Sequence, residues 1–240
     1  MVSKNEIKLI KNLNQKKYRN ANNLFVVEGE KGVLEFLNSN FEVHSLFCTL
    51  AFNAKNNIKN VQIVSDATLK KISSLKSPNK VVAVFNKPKQ KSVAKTGVIL
   101  VLDKINDPGN LGTIIRLCDW FRVTQIICSN DTVDCYNPKV VQASMGSLAR
   151  VNIIYTNVIK FLKTTKLPIF ASAMDGKSIY ETNVPKQGVL IMGNEANGIS
   201  KEILNLDVKK LAIPRFNDNR KPESLNVATA TAIFLSEFNR

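Results

Sequence analysis

From residue 97 onward, short and nearly continuous apolar runs alternate with segments whose apolar positions recur every three or four residues. The runs fall at 98–102, 124–128, 151–154, 168–172, 188–192 and 209–213. Helical periodicity lies between them, at about 110–121, 138–148, 157–164, 199–205 and 223–238. Strands apolar at every position are buried on both faces, the signature of a mainly parallel sheet covered by helices. The pattern predicts an α/β domain of Rossmann-like outline, with ligands at the carboxyl ends of its strands.

The first part of the chain alternates on a smaller scale. Residues 1–20 read as one basic amphipathic helix, with Ile7, Ile10 and Leu13 on one face. Lys4, Lys8, Lys11, Lys16, Lys17 and Arg19 line the rest of it. Strands are expected at Leu24–Val27, Val43–Phe47, Val61–Val64 and Val81–Phe85. One helix runs through Val33, Leu34 and Leu37, and another, capped by Ser65 or Asp66, carries Leu69 and Ile72. This alternation predicts a second α/β unit. The polar, basic stretch Asn86–Thr96 (NKPKQKSVAKT) reads as a connector. The expected division is therefore 1–88, a linker at 89–96, and 97–240.

Charge sharpens the contrast between the two units. The net charge of +15 is carried unevenly: residues 1–96 hold 17 Lys and Arg against 6 Asp and Glu, whereas residues 97–240 hold 17 against 13. The positive field thus sits mainly on the smaller unit, as expected of a domain that gathers a polyanion; a lysine-rich solvated face is the bland alternative. Cys48, Cys118, Cys128 and Cys135 form no C-x-x-C pair, and His44 is the single histidine. No metal cluster is expected from that set, and the thiols read as buried and reduced, as in a cytoplasmic protein. No apolar run approaches about twenty residues and no signal-peptide pattern is present, so neither a membrane span nor secretion is expected.

Three stretches share one construction: apolar strand, polar loop, helix. In the first, Asp107-Pro108-Gly109-Asn110 is turn chemistry, and Arg116 sits among Ile114, Ile115 and Leu117. An arginine in an apolar helix needs an anionic partner, which is either Asp119 at i+3 or a ligand. In the second, Gly193 and Gly198 follow a strand and precede a helix, nearly spelling a phosphate-binding P-loop. Ile199 stands where that loop needs lysine, and Glu195 would repel phosphates, which excludes a nucleotide triphosphatase. Ser200 with Glu202 reads as a helix cap. In the third, Leu211–Ile213 leads through a charged loop, Arg215–Pro222, to a small-sided helix entered through Glu223-Ser224-Leu225-Asn226. Ser224 and Asn226 are capping residues that can also face a ligand. No histidine lies in this half, which excludes a histidine base and a serine-hydrolase triad.

NDPGNLGTIIR (106–116), IMGNEANGIS (191–200) and IPRF…PESLNVATATA (213–232), in this order, resemble the three motifs of the SpoU (TrmH-like) family of RNA ribose 2′-O-methyltransferases, in the SPOUT superfamily. A fourth stretch, Asn137–Gly146, resembles the family with Gln142 in place of an expected basic residue. The opening KYR…LFVVEG is similar to a small L30e-like substrate-binding domain. The resemblance implies a SPOUT domain with a trefoil knot, which fold rules alone would disfavour.

It further implies S-adenosylmethionine as cofactor, held by backbone groups at Ala173, Gly193, Ile213 and Leu225. Asn110, Glu195, Ser224 and Asn226 would position the ribose and Arg116, with Arg116 acting as base or as phosphate clamp. RNA is the implied partner, ribosomal RNA first and transfer RNA second, and a homodimer with sites drawn from both chains is expected. A ribosome-assembly factor without catalysis on the same scaffold, and a base-nitrogen methyltransferase, are the alternatives.

Overall fold

Residues 1–20 do not run as one helix. In the computed structural model, which describes residues 2–90, 92–94, 96–216 and 224–240, α1 (Lys4–Asn12) stops at Leu13 and α2 (Lys16–Asn22) starts afresh. Ser3 and Glu6 close a reciprocal capping box on α1. The break turns Arg19 inward instead of leaving it on a solvent face. It is 2% exposed, and its guanidinium donates to the carbonyls of Leu13 and Asn14 (2.9 Å each) and to Asp134 (2.6 Å).

Then come β1 (Leu24–Glu28), α3 (Glu30–Leu37), β2 (Val43–Cys48), α4 (Leu50–Asn56), the two-residue β3 (Gln62–Ile63), α5 (Asp66–Ile72) and β4 (Val81–Asn86). The sheet order is β1-β4-β2-β3, antiparallel except for the β2–β3 pair. Leu24, Val26, Val82 and Val84 pack under Ile10, Leu13, Leu69 and Ile72. On the other face Phe25 meets Phe36, Phe41, Phe85 and Tyr136, the last with ring centroids 4.6 Å apart.

Tyr136 belongs to a stretch far along the chain. The molecule divides into one unit comprising the residues up to Lys89 with Asp134–Arg150, and another comprising Gln90–Val133 with Val151–Arg240. The excursion 134–150 therefore joins the small unit, bringing Asp134 to Arg19 and Arg150 to Glu35 (2.5 Å). The expected helix 138–148 is interrupted: α7 covers Pro138–Ala143, and Met145 and Gly146 both take positive φ before a short 3-10 turn.

In the larger unit β5 (Val98–Leu102), α6 (Pro108–Trp120), β6 (Gln125–Cys128), β7 (Asn152–Tyr155), α8 (Val158–Thr164), β8 (Ile169–Ser178), β9 (Gly188–Met192), α9 (Lys201–Leu204), β10 (Lys209–Ala212) and α10 (Val227–Asn239) follow in order. All six strands are parallel, in the order β10-β8-β9-β5-β6-β7. One sheet face buries Ile99, Val101, Val189 and Ile191 against Val158, Leu162, Ile199 and Ile203. On the other, α6 packs with α10, and Phe170 meets Phe238 edge-to-face at 5.4 Å.

Strand β8 outruns its expected end at 172. Ala171 pairs with Lys210 and Lys177 with Leu211, so residues 172–176 loop out of the ladder between them. Gly176 permits the return, since a methyl there would lie 2.6 Å from the Leu211 backbone nitrogen. Helix α10 begins at Val227, later than expected. The start expected at 223, and positions 217–222 of the charged loop, lie outside the described residues. Among the described residues no helix is long and apolar enough to cross a membrane.

Candidate active site

With every strand parallel, the loops after β5, β8, β9 and β10 open on one edge of the sheet. Strands β5 and β9 are neighbours, Leu102 opposite Met192, and the Asp103 N–H donates to the Met192 carbonyl (2.9 Å). The loops that follow them are thereby held side by side. Asp103 is 3% exposed and accepts the Ser200 N–H (2.7 Å). The expected cap by the Ser200 side chain is not made; Asp103 serves the start of α9 instead.

The loop 193–198 closes on itself. Asn194 and Gly198 exchange two backbone hydrogen bonds of 2.9 Å, and the Asn194 side-chain oxygen accepts from Ala196 and Asn197 (3.0 Å each). A methyl group at Gly193 would lie 2.3 Å from Gly198 and Ile199 backbone atoms, so only glycine fits there.

Asp107 caps α6 by accepting the Asn110 N–H (2.7 Å), with Pro108 in the first turn. This places the Asn110 side chain at the helix mouth. Its Nδ2 donates to Glu195 Oε1 (3.0 Å), and its Oδ1 accepts from Asn226 Nδ2 (2.9 Å). The polarity of the chain is dictated at both ends. Asn226 spends its oxygen on the Ala228 and Thr229 N–H groups of α10, leaving its amide nitrogen to donate. Glu195 can only accept. Glu195 and Asn226, 85 and 116 positions beyond Asn110 in sequence, thus form one hydrogen-bonded line with it.

Beside it lies a cavity of about 720 Å³ whose lining includes Ala173, Gly176, Ile213, Ser224, Leu225 and Phe234. Its walls are the 172–176 excursion, the segment after β10 and the approach to α10. The cavity meets the amide line where Ser224 and Leu225 run into Asn226. Lys210 donates to Asp175 (2.7 Å), tying the excursion to β10 and holding the Asp175 carboxyl below its ordinary range.

The sequence-predicted residues therefore sort into groups. Asn110, Glu195 and Asn226 are hydrogen-bonded together; Ala173, Ile213, Ser224 and Leu225 line the cavity; Gly193 does not line it and shapes the neighbouring turn. Arg116 stands apart, six residues and roughly 120° around α6 from Asn110. It is exposed, and no ion pair engages it among the described residues. Asn194 escapes sequence reasoning, although an Asn two residues before the N–H it accepts is an Asx turn. Ser172 and Gly176 gave no signal, because a strand excursion leaves no period to read. Among the described residues no group of three or more His, Cys, Asp or Glu side chains is gathered for a metal.

A family model described as the SpoU rRNA Methylase family matches residues 97–236, and one described as an MRM3-like substrate binding domain matches residues 4–83. The chain is 28% identical over 238 residues to the 23S rRNA (guanosine(2553)-2′-O)-methyltransferase RlmP of Bacillus subtilis, covering 96% of this chain and 94% of that one. It is 30% identical over 154 residues to the 23S rRNA (guanosine-2′-O-)-methyltransferase RlmB of Neisseria meningitidis, 62% of this chain and 60% of that protein. Among solved structures, a TrmH-family protein from Porphyromonas gingivalis superposes with a TM-score of 0.91 at 35% identity, covering 100% of this chain and 99% of that one. The AdoMet-bound rRNA methyltransferase of Sinorhizobium meliloti superposes at 0.86 and 27% identity, covering 99% and 96%.

Proposed function

The chain belongs to the SpoU rRNA methylase family, and from that premise we propose that it transfers the methyl group of S-adenosylmethionine to a ribose 2′-hydroxyl of ribosomal RNA. One observation carries the proposal: three motifs far apart in sequence converge on a single edge of the sheet, as a hydrogen-bonded line of side chains beside a cavity. A scaffold that only bound RNA would have no use for that cavity.

The cavity fits the cofactor. Its volume lies within the roughly 300–1,000 Å³ of small-molecule sites, and most of the residues that line it are small or apolar. Ala173, Ile213 and Leu225 would hold the cofactor, with Gly193 shaping the adjoining turn. When bound, S-adenosylmethionine supplies an electrophilic methyl group. Asn110, Glu195 and Asn226, fixed in one hydrogen-bond polarity, orient the ribose so that its 2′-oxygen lies in line, and Ser224 borders both parts. Such alignment can account for about 7–11 kcal/mol of a barrier. The methyl would move from sulfur to the 2′-oxygen, its bond to sulfur breaking to leave a neutral thioether as the C–O bond forms, and the hydroxyl proton would pass to a phosphate oxygen or water. Arg116 clamps that phosphate; a guanidinium with a pKa above about 12 cannot serve as the base.

A homodimer belongs to the same reading. Arg116 and Trp120 lie at i and i+4 on one face of α6, and Trp120 is 82% exposed, an unusual state for that side chain. A second chain covering this face would bring Arg116 to a site. Trp120→Glu should then yield monomers in sedimentation with at least tenfold loss of activity; an unchanged oligomeric state would remove the α6 interface.

The direct test is transfer of labelled methyl from S-adenosylmethionine to ribosomal and transfer RNA, wild type beside Arg116→Ala. Label in ribosomal RNA that the variant loses by at least a hundredfold, with cofactor binding intact by calorimetry, is the expected result. Near-full activity of Arg116→Ala would sink the assigned site, and absence of both label and cofactor binding would sink the function.

A further inference from the structure

The two loops beside the amide line, 103–110 and 193–198, hold three carboxylates, Asp103, Asp107 and Glu195, and one cation, Lys104. Asp103 is buried, but Asp107 and Glu195 are exposed, so a polyanion approaching this edge meets a locally negative surface unless Lys104 offsets it. Each carboxylate has a partner elsewhere: the Ser200 N–H, the Asn110 N–H and the Asn110 amide respectively. Lys104 is exposed, and among the described residues no ion pair engages it.

Its backbone is unusual as well. Lys104 is left-handed, with φ of 58°, a conformation that favours glycine and to a lesser extent asparagine. The strained state is held from both sides: its N–H donates to Ser129 Oγ (2.9 Å), and its carbonyl accepts from Asn194 Nδ2 (2.7 Å). That same Asn194 amide lies 3.4 Å from Glu195 Oε2. Asp103 and Ile105 on either side are buried, so Lys104 is the position between them that reaches solvent. Arg122 shares the left-handed φ, but Lys104 alone of the two stands between the loops that carry the amide line, pinned there by Ser129 and Asn194.

We propose that Lys104 is a positioning residue that binds an RNA phosphate flanking the target nucleotide, offsetting the exposed carboxylates of the two loops. The proposal rests on the function proposed above, and its test separates the two. Lys104→Gly removes the ammonium and relieves the backbone strain in one step, so loss of function cannot be blamed on misfolding. Lys104→Arg keeps the charge. Affinity for fluorescein-labelled ribosomal RNA fragments is read by anisotropy across a salt series, with thermal midpoint and S-adenosylmethionine calorimetry alongside.

Lys104→Gly is expected to melt no lower than wild type and to bind the cofactor unchanged. It should bind RNA at least fivefold more weakly, with a slope of log K against log salt shallower by about 1; Lys104→Arg should restore most of the affinity. Wild-type RNA affinity and salt slope in Lys104→Gly would overturn the proposal, as would equal loss in Lys104→Arg. Methyl transfer by the wild type is scored separately: its absence would sink the enzymatic function, while the RNA affinities would still decide the role of Lys104.

Discussion

Asn226 does two things with one side chain, and they can be pulled apart. Its oxygen caps α10, and its nitrogen holds the Asn110 amide in the orientation that faces Glu195. Asn226→Ala should lose both, lowering stability by about 1 kcal/mol from the cap alone. Asn226→Asp keeps a capping oxygen suited to a helix N-terminus but sets a carboxylate against the Asn110 oxygen. Its urea midpoint should stay near wild type while methyl transfer falls at least tenfold, or about 1.4 kcal/mol. Equal activity of the Asp variant would mean the amide line is only a structural cap. At this scale the family motifs pointed to Asn110, Glu195 and Asn226, which the structure joins by hydrogen bonds. The sequence was silent on Lys104 and Arg19, because a dihedral angle and a burial set by distant chain leave no local trace.

Among the elements, strands were the most legible, since short runs that are mostly apolar call for burial on both faces of a sheet. The helices were less so. The break between α1 and α2 falls inside a run with unbroken basic periodicity, and its cause is tertiary: Arg19 turns inward to meet Asp134. That pair should matter for stability, since removing one partner leaves a charge in a poorly solvated place. Arg19→Met is expected to lower unfolding free energy by about 3–5 kcal/mol, read from urea denaturation. Arg19→Lys should recover little, because one ammonium cannot replace a planar fork that reaches two carbonyls and a carboxylate. A loss below about 1 kcal/mol for Arg19→Met would show the pair to be incidental. The 172–176 excursion was equally invisible, yet it makes one wall of the cavity.

For the whole molecule, charge and chemistry are assigned to different units: the net +11 lies on residues 1–96, and the amide line and cavity lie in the larger unit. The division expected from alternation and charge is sequential, whereas in the structure 134–150 groups with the small unit through Asp134, Tyr136 and Arg150. The central claim is that these parts serve methylation of a ribose oxygen, the atom that distinguishes RNA from DNA. Ribosomal RNA methylated by the wild-type protein with labelled cofactor should therefore be digested with alkali, which cleaves each linkage by attack of the free 2′-hydroxyl. Label recovered in alkali-resistant dinucleotides is the expected result, because a methylated 2′-oxygen cannot attack its phosphate. Label recovered in mononucleotides would place the methyl on a base and contradict the assignment of the site.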